Sequence, residues 1–237
     1  MQSLGVAICS YRRHIPHLAK LLASIQAQSR QPDEVVVSCS SSMPEDFPFC
    51  ESDFSFALRV LVHSEKKNAA QNRNAAAACL STDLVTFFDA DDVMHPQRLD
   101  FIARAFEVHD IEILMHNFHS DNCSDFVEYD RCTIFRNVLF KCPWGSTQIS
   151  GSIDDAHVHN AHATVRRKVL EEIRFREEAS YHAKEDTVFC TDVIVRYPDR
   201  TAYCHDKLSR YSPGGSMDEF ALSARLDEDS PSLRITL

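Results

Sequence analysis

Leu84-Val85-Thr86-Phe87-Phe88-Asp89-Ala90-Asp91-Asp92 is the stretch on which the reading of this chain turns. A run that is apolar apart from Thr86 ends abruptly in three carboxylates within four positions. A short continuous apolar run bounded by a polar cluster reads as a fully buried strand. Strands of that kind belong to mainly parallel sheets with helices on both faces. In such sheets ligands bind outside the carboxyl ends of the strands, so the acids stand where chemistry is done. Oxygen-rich clusters suit Mg²⁺ or Mn²⁺. Asp89 and Asp91 diverge on a strand, but a turn brings them to one ion. The plainer alternative is that Asp91 or Asp92 caps the next helix.

Outward from this segment, strands and helices alternate. Leu4 to Cys9 and the β-branched Val35-Val36-Val37 read as strands, as does Leu58 to Val62. After Pro16, Leu18, Leu21, Leu22 and Ile25 recur at i, i+3, i+4 and i+7, one apolar helix face. Alanine-rich 69–80 and the stretch 96–108, with Leu99, Ile102, Ala103 and Phe106 in register, are helices. The segment 39–55, rich in Ser, Pro and acid, reads as a loop. Ile111 to Phe118 is a strand. Residues 157–165 and 202–211 look extended, with helices near 167–173 and 186–195. These elements predict an α/β fold with a mostly parallel central sheet flanked by helices, in one domain over residues 1–211. A polar tail occupies 212–237, where the Gly214-Gly215 pair is a candidate hinge for closing Ser212 to Glu219 over a bound ligand.

Composition removes several classes. The 237 residues hold 35 acidic and 25 basic side chains, a net charge of −10. A phosphate-neutralising basic face is therefore not expected, and nucleic acid is not an expected partner. Only five glycines occur, with neither GxGxxG nor GxxxxGK[ST], so a glycine phosphate cradle is excluded. No apolar run approaches the roughly 20 residues of a membrane span. Nine irregularly spaced cysteines without CxxC suggest a reducing, cytoplasmic setting, with peripheral membrane attachment also open.

The order of these pieces resembles the family 2 glycosyltransferases of the GT-A fold. Cys9-Ser10-Tyr11-Arg12-Arg13 stands where that family has a P-T-Y-N-R-like turn after the first strand. Asp33 to Ser42 aligns with D-E-I-I-V-V-D-D-G-S, Asn72-Arg73-Asn74-Ala75 with an A-R-N helix start, and Phe88-Asp89-Ala90-Asp91-Asp92 with L-D-A-D-D. Lys184-Glu185-Asp186-Thr187 matches an E-D pair opening a late helix. The resemblance covers roughly residues 4 to 210.

The resemblance implies a metal-dependent, inverting transfer of a sugar from a nucleotide-diphosphate sugar to a hydroxyl. The acceptor would be a glycan, a lipid-linked species or a protein. Residues 1–95 would form the nucleotide-sugar half and 96–211 the acceptor half. Asp91 would hold Mn²⁺ or Mg²⁺, with Asp89 sharing the ion or meeting ribose or sugar hydroxyls. His205 is the candidate for a late histidine ligand. Ser10, Tyr11, Arg12, Cys39, Ser40, Arg73 and Ala90 complete the donor side. Arg73 would support the phosphates or the carboxylates, and Asp186 would be the general base. Acids at a helix N-terminus are also favoured electrostatically without any catalytic role. On the acceptor side stand Glu185, His162 and Trp144, the last stacking on a sugar face or simply packing in the core. His157, His159 and His162 invite a zinc reading, with polar surface residues or acceptor-site groups as the simpler one.

Two departures are visible. The acids of D-D-G-S are replaced by Cys39 and Ser40, which cannot make the same charge-assisted contact to a base N–H. UDP-sugars remain the favoured donors, with the base open. Alanines (Ala69, Ala70 and Ala75) replace glycines around the A-R-N helix. Two other functions stay in play: a non-catalytic nucleotide-sugar or glycan binder on the same fold, and a DxD phosphohydrolase of the haloacid dehalogenase type. The hydrolase would place its aspartates on the first strand rather than the fourth.

Overall fold

The structure is a computed structural model, and it describes residues 2–120, 125–141, 147–150 and 153–212. Strands β1 (Leu4–Tyr11), β2 (Glu34–Ser40), β3 (Ala57–Val62) and β4 (Leu84–Asp89) pair in parallel in the order β3-β2-β1-β4. Helix α1 (Ile15–Gln26) buries Ile15, Leu18, Leu21, Leu22 and Ile25 along the periodic face expected of it. Helix α2 (Ala69–Ala78) starts at Asn68, whose side chain accepts from the Gln71 N–H while the Gln71 side chain accepts from the Asn68 N–H. This reciprocal cap satisfies two otherwise unpaired donors. Gly5 in β1 has no room for a side chain. A Cβ there would lie 2.5 Å from Thr82 Oγ1 and 2.8 Å from Leu80 Cδ2.

Beyond β4 come β5 (Val93–Met94), α3 (Arg98–Val108), β6 (Ile113–His119), β7 (Ile134–Arg136), β8 (Leu139–Lys141) and β9 (Thr147–Ile149). They are followed by β10 (Thr164–Arg166), α4 (Val169–Glu172), α5 (Glu185–Arg196) and β11 (Thr201–Arg210). The sheet continues past β4 as β10-β6-β11-β5, with β7 also on β11, while β8 and β9 pair separately. β10 enters antiparallel to both β4 and β6, whereas β6 and β11 run parallel. The parallel pattern thus holds for the first four strands and becomes mixed where a late segment inserts beside β4. Two core clusters cover the faces, one built on α1 and α3, the other on α2 and α5.

Several boundaries differ from expectation. The segment expected to be extended over 157–165 is strand only from Thr164. A 3₁₀ turn occupies Asn160–His162 and places residues three apart on one side. The 39–55 loop carries short turns at Pro44–Asp46 and Glu51–Asp53. Trp144, the Gly214-Gly215 hinge and the tail beyond Ser212 lie outside the described residues. Among the described residues no helix is long and apolar enough to cross a membrane.

The strand order positions the site. β2 and β3 extend to one side of β1 while β4 lies on the other, so the order reverses between β1 and β4. The crevice at such a switch point is where open α/β sheets bind ligands. Cys9 pairs with Asp89 there.

Candidate active site

The exit turn of β1 and the acid turn after β4 are neighbours because the two strands are. The Asp92 N–H donates to the Asp89 carbonyl at 3.3 Å and closes the acid turn. His14, two residues beyond Arg12, stacks edge-on against Tyr11 at 4.1 Å and places Nε2 3.7 Å from Asp91 Oδ2. That Nε2 is buried and has no hydrogen-bond partner. Burial lowers His14 to about 4, so its imidazole is neutral near pH 7. Burial, then the charges of Asp89 and Asp92, raise Asp91 to about 7. Asp91 therefore sits among acids with a neutral imidazole beside it, an environment that a cation would relieve.

Arg73 organises the rest. Its Nη2 donates to Asp89 Oδ1 at 2.8 Å and its Nη1 to Glu185 Oε1 at 2.6 Å. The guanidinium is buried and lies 5.4 Å from the centre of the Phe175 ring. Phe175 stacks on Phe189 of α5 and meets Phe87 of β4 edge-on, so α2, β4 and α5 lock around one cation. Asp186 is the next residue along α5. Burial raises its carboxyl and Arg73 opposes the shift. Asp186 Oδ1 accepts from the N–H of the next residue, Thr187, at 2.6 Å in the first turn of α5.

The third acid faces the other way. Asp92 Oδ1 accepts from the Ser212 N–H at 2.7 Å, while Oδ2 lies 3.0 Å from His162 Nε2 and 3.3 Å from His159 Nε2. These three ligand atoms are buried and lie within 4.8 Å of one another. The two rings, however, are face to face at 3.7 Å with planes 3° apart. One ion could therefore not lie in the planes of both rings. Asp92 Oδ2 and both Nε2 atoms are buried without a hydrogen-bond partner, and they border a polar interior in which Arg98 donates to the His162 carbonyl, Thr86 and His116. His157 stands apart and exposed beside Asp155.

On the donor side, Ser10, Cys39 and Ser40 are buried at the ends of β1 and β2. Ser38 donates to Asn72 Oδ1 at 2.9 Å, and Asn72 Nδ2 donates to Ser40 Oγ at 3.2 Å. The Ser38 hydroxyl also lies 3.1 Å from His63 Nε2. Neutral hydroxyls and an amide thus replace the acids that the aligned motif carries. Ser41 has φ 53°, the left-handed conformation suited to glycine, at the position aligned with the glycine of D-D-G-S. Arg12 is exposed and donates to Asp46 at 2.9 Å, and Ala90 is buried between the acids.

Some expected placements need correction. His162 is fully buried, stacked on Phe88 at 3.9 Å, and lines no open acceptor surface, because β10 inserts beside β4 and closes over it. Glu185 is turned inward to Arg73 rather than toward an acceptor. His205 lies 2.9 Å from the Asp154 carbonyl through Nε2 and packs near Phe135. Asp89 and Asp91 are not among the contacts it makes with described residues. The imidazole beside Asp91 is His14, which sequence reading missed. The run Tyr11-Arg12-Arg13-His14 was visible, but the adjacency of β1 and β4 that gives it meaning was not.

A sequence profile described as Glycosyl transferase family 2 matches residues 5–174, most of the chain. The chain belongs to that family. Comparison with curated protein sequences returns no match. Among solved structures, Staphylococcus aureus TarS 1-349 in complex with UDP is similar at 18% identity and TM-score 0.64, covering 94% of this chain and 64% of that one. Its complex with UDP-GlcNAc gives TM-score 0.68 at 18% identity, covering 91% and 60%. The longer TarS structure gives 0.64 at 17%, covering 98% and 40%. The chain thus spans less than two thirds of these proteins, and the likeness shows a shared GT-A-type fold.

Proposed function

We propose that this chain transfers a sugar from a nucleoside-diphosphate sugar to a hydroxyl acceptor, with inversion at the anomeric carbon. Buried Arg73, paired with Asp89 and Glu185 and close to Asp186, with Asp91 two residues beyond Asp89 at the switch point of the sheet, carries the reading. Residues 1–95 form the donor half in this reading and 96–211 the acceptor half. The acceptor hydroxyl belongs to a glycan, a lipid-linked species or a protein. UDP-sugars are the first donors to try, since two of the similar structures hold UDP and UDP-GlcNAc.

The residues fit a divalent cation, Mn²⁺ or Mg²⁺. Asp91 is raised by burial and by neighbouring acids, and His14 Nε2 is an unpartnered neutral imidazole nitrogen. Asp91 would hold the ion, helped by His14 and Asp89. When bound, such an ion supplies positive charge to the diphosphate as it leaves. Arg73 holds Asp89 in place and lowers the cost of gathering acids. Asp186, whose carboxyl is raised by burial, accepts the acceptor's proton as its oxygen attacks.

Asp186→Asn tests this. Transfer should fall by about 10²-fold or more, while donor binding, read by titration with UDP and Mn²⁺, stays within a few-fold. Transfer at a near-normal rate would remove Asp186 from the role of base. Phosphate release from simple esters, without sugar transfer, would instead point to a phosphohydrolase. Donor binding with no turnover on any hydroxyl acceptor would point to a binding protein.

A further inference from the structure

Away from the carboxylates, Cys132 and Cys204 bring their sulfur atoms to 2.7 Å, closer than two non-bonded sulfurs rest. Cys204 lies in β11 and pairs across the ladder with Ile134 of β7, two residues after Cys132. The ladder contact continues beyond Ile134, where the His205 N–H donates to the Thr133 carbonyl at 2.9 Å. The Thr133 N–H donates to Asp206 Oδ2 at 2.6 Å. Both backbones are therefore held on either side of the sulfur pair. A disulfide needs about 2.04 Å between sulfurs, so the closing movement is well under 1 Å. Two thiolates on one tetrahedral zinc, each at about 2.3 Å, would stand about 3.8 Å apart, which this spacing does not suit.

We propose that Cys132 and Cys204 are a modification site: a dithiol that closes to an intramolecular disulfide by exchange with a low-molecular-weight disulfide. Cys132 is partly exposed and Cys204 is buried, so the order of events follows from access. The Cys132 thiolate attacks one sulfur of the external disulfide and releases one thiolate. The mixed disulfide left on Cys132 is then attacked by Cys204, whose proton passes to solvent or to Asp206, with Oδ2 3.7 Å away. A second thiolate leaves. In total, two protein thiols are oxidised to one disulfide and one external disulfide is reduced to two thiols. Burial pushes the Cys204 thiol well up, which agrees with its acting second. The bond would tie the segment holding Tyr129, whose backbone meets Gln97 at the start of α3, to the strand that leads to Ser209 and Ser212.

The experiment treats the reduced full chain with glutathione disulfide, quenches with acid and maps peptides without reductant. The expected result is a single Cys132–Cys204 linkage, two of the nine thiols lost, and a melting temperature raised by about 5–10 °C that reductant reverses. Cys132→Ser, a partly exposed position, should fold normally and lose the linkage and the shift together. Cys204→Ser should stall as a glutathione adduct on Cys132. A stable adduct on Cys132 in the unaltered chain, a linkage between other cysteines, or stoichiometric zinc released on oxidation would overturn the proposal. None of these readouts depends on sugar transfer, so the pair and the catalytic reading stand or fall separately.

Discussion

Asp91 shows how one carboxylate reports its surroundings. In metal-free protein it keeps a proton up to about 7, whereas the unfolded chain releases it near 3.8. The folded state then binds more protons than the unfolded state across that window, so stability falls as pH rises through it. The bound on this effect is about 4 kcal/mol. Urea unfolding with a chelator, from pH 4.5 to 8, should show this slope, and Asp91→Asn should flatten it. Arg73 behaves oppositely, since its charge is buried and twice paired. Arg73→Met leaves Asp89 and Glu185 without their cation and should cost about 3–5 kcal/mol, read as a lower denaturant midpoint. At Ser41, held at φ 53°, replacement by glycine relieves strain and should add up to about 1 kcal/mol. A loss there would mean that the hydroxyl contributes more than the backbone strain costs.

Among the elements, α2 does the most to build the site. Its asparagines reach across to the segment leading into α5. Asn68 Nδ2 donates to the Glu177 carbonyl at 2.8 Å, and Asn74 Nδ2 donates to the Phe175 carbonyl at 2.8 Å. The Phe175 N–H donates back to Asn74 Oδ1 at 3.1 Å. These bonds hold Phe175 beneath Arg73 and deliver Glu185 and Asp186 to the carboxylate cluster. Ala183, just before them, sits at φ 60°, a conformation alanine adopts only when its surroundings impose it. Asn74→Ala removes the exchange with Phe175 and should cost about 1–3 kcal/mol. Because the E-D turn would loosen, turnover should fall further than donor affinity. Equal loss of both would place Asn74 in the packing alone.

Across the whole molecule, two constraints dominate. The strand order brings the carboxyl ends of β1 and β4 together, and Gly5 permits the close approach of β1 to the chain leading into β4. Gly5→Ala would press a methyl group against Thr82 and Leu80. The resulting overpacking should cost about 1–3 kcal/mol and lower the melting temperature without moving any site residue by design. On the far side, Glu112 is fully buried and meets Lys168 at 2.8 Å and Arg200 at 2.7 Å. That cluster ties the ends of β6, β10 and β11 away from the site.

Local pattern carried much of this. The apolar runs became β1, β2, β3 and β4, the i, i+3, i+4 face of α1 is buried as expected, and the motif order resembled the family to which the chain belongs. These features depend on neighbours in sequence, so a single chain displays them. Contacts between distant residues had no such signature. Arg73 meets Glu185 across 112 positions, and Cys132 meets Cys204 across 72. His14 acquires its place only because β1 and β4 are adjacent, and His162 is buried only because β10 threads between β4 and β6. Burial and charge pairing at these points follow from which strands touch, a property of the packed sheet that no local periodicity encodes.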